Sequence, residues 1–120
     1  MIETAPTNDM RLLAPLREAC LRAVANRQLE PGDVPLAGMC VEVSLIVRGV
    51  FGGILLSGFV GKEQHYWNRL PDGRELDITS DQFGGDGYAP LIKGTPVDVP
   101  SPIPLTAILF AQHVLANLNA

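Results

Sequence analysis

His65-Tyr66-Trp67-Asn68-Arg69-Leu70-Pro71-Asp72-Gly73-Arg74-Glu75-Leu76-Asp77-Ile78-Thr79 reads as two strands around a tight turn. Proline presets one turn angle and glycine accepts positive φ, so Pro71-Asp72-Gly73 is a strong hairpin signal. With that loop, Leu70 pairs with Arg74, Trp67 lies opposite Asp77 and His65 lies opposite Thr79, all four on one face. Tyr66, Leu76 and Ile78 take the other face. His65 and Asp77 become diagonal neighbours, roughly 7–8 Å apart at the backbone and nearer at the side chains, close enough for an imidazole to meet a carboxylate. A slip of one residue would send Asp77 to the opposite face, because strand side chains alternate with period 2.

Upstream of this hairpin, Ile54-Leu55-Leu56-Ser57-Gly58-Phe59-Val60 is a short apolar run between Gly53 and Gly61, the pattern of a buried strand. A turn at Gly61-Lys62-Glu63 makes it the first strand of a meander, followed by strands over Gln64–Leu70 and Arg74–Thr79. Before it, Gly38-Met39-Cys40 opens an apolar segment from Cys40 to Val50, broken only by Glu42, Ser44 and Arg48 among the larger polar residues and ended by Gly49, Gly52 and Gly53. Its β-branched residues would suit a strand. Eleven residues is long for one, and the closing glycines fit a helix C-cap, so a buried helix is expected.

Between Asp9 and Gln28, Leu12, Leu16, Cys20 and Ala23/Val24 recur at helical spacing against Arg11, Arg17, Glu18, Arg22 and Arg27, which predicts an amphipathic helix. Pro15 should either start that helix or kink it. Cys20 falls on the apolar stripe and reads as core. Residues 1–8 read as a flexible lead or a strap over the surface, and Glu30-Pro31-Gly32-Asp33-Val34-Pro35 as a turn that stops the first helix.

Downstream, Asp81-Gln82-Phe83-Gly84-Gly85-Asp86-Gly87-Tyr88 lacks both the lysine of a phosphate loop and the ligand spacing of a calcium loop, so a mobile surface turn is expected. Five prolines over residues 89–104 predict an extended, irregular segment. Leu105–Leu118 predicts a helix largely buried in this chain or against a second copy, with His113 as a structural histidine. The expected architecture is α+β: a single domain over 9–120, with a central Cys-bearing helix packed on a small antiparallel sheet and a helix at each end.

Composition narrows the function. The 120 residues are 47% hydrophobic and carry a net charge of −4 with no Lys/Arg-rich run, which argues against nucleic acid as a partner. No apolar run of about 18 residues and no basic n-region with an h-region occurs, so neither a membrane partner nor export is expected and the chain reads as cytoplasmic. In that compartment two cysteines suggest a catalytic thiol more than a disulfide.

Cys40 is the candidate nucleophile, because unpaired N–H groups and the dipole at a helix start stabilise a thiolate. His65 is the base that would take the thiol proton and return it to a leaving group. Asp77 would hold the imidazole in the working tautomer, with Asn68 as its substitute if the register differs. The backbone N–H of Cys40 is a natural first oxyanion donor. Gln64 is a candidate second donor, although alternation should turn its side chain away from His65. Trp67 reads either as a shield over the His–Asp pair or as core.

Gly-x-Cys opening a helix, His65-x-Trp67-Asn68 on one strand and Asp77 on the next resemble the core of the transglutaminase-like and papain-like cysteine enzymes. More narrowly, His65 to Asp77 with Thr79 and Asp81-Gln82-Phe83 resembles the YunG-like proteins, a small bacterial family, over roughly residues 38–84. The resemblance implies a Cys40–His65–Asp77 triad acting on an amide, ester or thioester of a small molecule, peptide or protein through a thioester intermediate. It implies no metal or organic cofactor. The alternative, on a chain this short and without an upstream glutamine at papain-like spacing, is a non-catalytic binding or regulatory module that keeps the fold.

Overall fold

A computed structural model describes residues 7–24, 39–86 and 88–118. Three helices, α1 (Leu13–Ala23), α2 (Cys40–Phe51) and α3 (Leu105–Leu118), pack with a four-stranded sheet. Its strands are β1 (Ile54–Val60), β2 (Glu63–Arg69), β3 (Glu75–Leu76) and β4 (Thr95–Val97). They run antiparallel in the order β3-β2-β1-β4. The fold is α+β, as the alternation of apolar periods implies.

Helical spacing puts Leu16, Ala19 and Cys20 of α1 and Val43, Ile46 and Val47 of α2 inside, where they meet Leu70, Leu76, Ile78 and Val114. α2 lies on β2, and α3 packs on α1 and α2. α2 ends at Gly52 with φ 77°, a conformation glycine adopts without strain. α1 starts two residues before Pro15 rather than at it, after a 3-10 turn over Met10–Leu12. Pro15 therefore falls in the first helical turn, where no intrahelical bond needs its missing N–H.

Four expectations are corrected. The strand over Arg74–Thr79 shrinks to Glu75–Leu76, because the Asp77 carboxylate captures the N–H and hydroxyl of Thr79 and turns the chain away from β2. The glycine-rich loop opens on a 3-10 turn over Ser80–Phe83 that an Arg17–Asp81 ion pair of 2.7 Å ties to α1, so its start is anchored. The proline-rich segment does contain regular structure, since β4 pairs with Leu55–Ser57 of β1. Pro96 is tolerated there because β4 is an edge strand.

The last correction concerns α3. It occupies the expected span, yet within this chain only Ala107 and Val114 are fully buried. At the other terminus the supposed lead is partly anchored, the N–H of Thr7 donating to the carbonyl of Val50. The expected turn at Glu30–Pro35, the tail of the first helix beyond Val24 and the first six residues lie outside the described residues.

Candidate functional site

The hairpin register is the one that loop length dictates. Asn68 pairs with Leu76 and Arg69 with Glu75, and the N–H of Leu70 donates to the carbonyl of Arg74. Carried one residue further, this register brings Asp77 beside β2 on the side where His65 and Trp67 project. The strand has ended by then, so the imidazole and carboxylate meet at an open stretch of β2. His65 Nε2 and Asp77 Oδ2 are 2.6 Å apart, with both residues buried. The other carboxylate oxygen, Oδ1, accepts from the Thr79 N–H and hydroxyl at 3.1 Å each. Asp77 is therefore held at both oxygens.

Arg17 fixes the same turn from α1. Its Nη2 donates to Asp81 at 2.7 Å, its Nε donates to the Ile78 carbonyl at 3.4 Å, and its guanidinium lies over the Tyr88 ring. The Tyr88 carbonyl in turn accepts the Asp77 N–H at 2.7 Å. Where the β-ladder stops, these contacts replace it as the support of Asp77. Sequence reading missed Arg17, which is 60 positions from Asp77 along the chain, and placed Thr79 opposite His65 without its local i to i+2 bonds to Asp77.

Cys40 is the first residue of α2 and is half-buried. Met39, at the N-cap, offers no side-chain hydrogen bond to the helix start, so the first N–H groups of α2 rely on other partners. Cys40 lies near enough to His65 to raise its imidazole pKa. Burial alone would push the imidazole pKa down. Hydrogen bonding and charge from Asp77, with a further contribution from the neighbouring Cys40, outweigh it and lift His65 to about 9. Nε2 is the ring nitrogen that meets Asp77.

Trp67 stacks on His65, the ring centroids 5.7 Å apart and the planes 24° from parallel, and its indole N–H donates to Glu75 at 2.9 Å. Gly94 lies so close over the indole that a Cβ there would collide with the ring. Trp67 thus covers one side of the imidazole against water. Asn68 turns to the other side of β2, and its amide donates to the Ser44 carbonyl at 2.8 Å, stapling the strand to α2. It does not stand in for Asp77. Gln64 is exposed and donates to the Ser57 hydroxyl at 2.9 Å, directed away from His65 as strand alternation requires.

The seam beside Cys40 is lined by Val43, Ser44, Tyr66, Trp67, Asn68 and Asp77–Thr79, and it is too narrow for a water molecule. A larger cleft of about 730 Å³ lies elsewhere, between Thr7–Met10, the Phe51 end of α2 and the Pro71 turn. Among the described residues no three His, Cys, Asp or Glu side chains converge to hold a metal ion, and no helix is long and apolar enough to cross a membrane. His113, expected to be structural, is exposed on α3.

Residues 18–103 match the model of a protein family described as YunG protein. No curated protein and no solved structure matches the chain.

Proposed function

The chain belongs to the YunG family, and from the chemistry of its core we propose that it is a cysteine-dependent hydrolase or acyltransferase. The observation that carries this reading is the His65 imidazole meeting a carboxylate fixed at both oxygens, with Cys40 near enough to raise the imidazole pKa. In this reading the residues would act as they do in the transglutaminase-like and papain-like enzymes, where helix-borne thiol, imidazole and orienting carboxylate work as a unit.

In the proposed reaction His65, protonated at neutral pH, stands as the imidazolium of a thiolate–imidazolium pair with Cys40, and the thiolate attacks the carbonyl carbon of an amide, ester or thioester. The S–C bond forms as the carbonyl electron pair moves to oxygen, where the Cys40 N–H donates to it. The oxyanion collapses, the bond to the leaving group breaks, and His65 returns its proton to that group. Water or an amine then adds to the thioester with His65 as base, releasing acid or amide and restoring the thiol. Asp77 holds the ring and stabilises its charged form throughout.

The closed seam beside Cys40 favours a second reading, a binding or regulatory module that keeps the core without turnover. Alkylation of Cys40 by iodoacetamide from about pH 5 to 9, followed by site-resolved mass spectrometry, separates the two. An enzyme predicts rapid modification at acid pH that His65→Ala slows. A Cys40 that reacts no faster than an ordinary thiol and is indifferent to His65→Ala overturns the enzyme reading.

A further inference from the structure

α3 carries apolar residues on two opposite sides. One side, Ala107, Phe110, Ala111, Val114 and Leu118, faces the body of the protein, with Val114 in the core shared with α1 and α2. The other presents Leu105, Ile108, Leu109 and Leu115, which are 68%, 41%, 54% and 41% exposed. An α-helix that is apolar all round is normally covered all round. From the structure we infer that this outer face of α3 docks against a second copy of the same chain.

The spacing suits that occupant. Leu105, Ile108, Gln112 and Leu115 stand three, four and three residues apart, the seam spacing of helices that pair by knobs-into-holes packing, with Leu109 flanking it. Gln112 is the one polar seam residue. Its amide both donates and accepts, so a second Gln112 is a partner that satisfies it.

Charge selects against other occupants. From Val99 to Ala120 the chain contains no Asp, Glu, Lys or Arg. A lipid surface is met by helices with a Lys/Arg-rich polar face, which α3 lacks, and its 14 residues are too few to span a bilayer. A charged partner would find nothing on α3 to complement it. An uncharged copy of α3 meets no such mismatch, even though the whole chain carries a net charge of −4.

Area points the same way. The four exposed side chains form a patch on the order of 400 Å², the size at which an apolar patch marks an interaction site. Together with Ile103, itself 43% exposed, and the exposed Gln112 and Ala116, it approaches the roughly 800 Å² per partner of a specific interface. A twofold pairing uses the same patch on both copies and closes the assembly at two.

Sedimentation velocity of the full chain from about 1 to about 200 µM tests this inference, with circular dichroism as the check on folding. The expected result is a wild-type dimer that Ile108→Glu or Leu115→Glu shifts to monomer, with at least a tenfold rise in the dimer dissociation constant and an unchanged helix signal. Should either single variant fail to fold, Leu109→Gln on the flank of the seam is expected to weaken the dimer measurably. A wild-type chain that stays monomeric throughout, or a dimer indifferent to folded seam variants, overturns the inference. So does a monomer that sediments with vesicles of neutral or anionic lipid, which would give the patch to a membrane.

Discussion

Cys20 and Cys40 are the same side chain in two regions of one core, and the regions treat them differently. Cys20 sits mid-way along α1 with no exposure, and burial pushes its pKa up to about 12 despite the nearby charge of Arg17. Cys40 opens α2, half-buried, against an imidazole that Asp77 and Cys40 together hold near pKa 9. A thiol in apolar packing keeps its proton; a thiol beside a supported imidazole has somewhere to send it. The reactivity proposed for Cys40 rests on the end of a helix and the end of a strand, not on the residue type.

The sharpest way to break this contrast is to remove its base. With His65→Ala, iodoacetamide modification of Cys40 near pH 6 should fall at least about tenfold, and any acyl-transfer turnover should fall on the order of 100-fold or more. Cys20 should stay unmodified in both proteins until denaturant exposes it. Equal rates at the two cysteines in the folded wild type would erase the distinction. Asp77→Asn should have the next largest effect, several-fold on Cys40 reactivity, because the side chain can still bond Thr79 but no longer supplies the negative charge that raises His65.

The same pair makes a stability prediction with a definite sign. His65 has a folded-state pKa of about 9, above the ordinary imidazole value of about 6.5. Below about pH 6.5 both the folded and unfolded forms are protonated, and the stabilisation is fully present. Between about 6.5 and 9 only the folded form keeps the proton, so stability should decline as pH rises through that window, by on the order of 2 kcal/mol. Urea midpoints measured at pH 6 and 9.5 should show that decline in the wild type, and His65→Gln should flatten it.

Smaller effects sharpen the comparison. Arg17→Met keeps much of the side-chain bulk but cuts the links to Asp81 and Ile78, so Cys40 reactivity should drop about two- to threefold and its pH profile should shift. A stability change without any change in that profile would make Arg17 a strut rather than a support of Asp77. Cys20→Ser places a hydroxyl in apolar packing and should lower stability by about 1–2 kcal/mol. Cys40 chemistry should not notice it.

Local pattern made much of this legible in advance. Ile54–Val60 and Leu105–Leu118 have the observed bounds, and the Cys40 helix runs one residue beyond the expected end. The hairpin register, and with it the meeting of His65 and Asp77, follows from one three-residue turn. Other features were hidden because their causes are non-local. β3 stops at Leu76 when a side chain outcompetes the ladder, and β4 forms in a proline-rich stretch because the edge of β1 is open to receive it. Asn68, with the right chemistry for the site, is instead taken by a carbonyl of α2.

The sequence by itself determined the elements, because hydrophobic period and turn chemistry act over a few residues: a helix opening at Cys40, a strand carrying His65, and a turn that sets the phase of Asp77. Tertiary structure decided which groups touch. It brought Arg17 from α1 onto the Asp77 turn, laid Trp67 over the imidazole and Gly94 over the indole, closed the seam beside Cys40, and left one side of α3 uncovered. The physical reason is range. Helices and turns are selected by neighbours along the chain, whereas burial, pKa and exposure depend on what distant segments place beside a group.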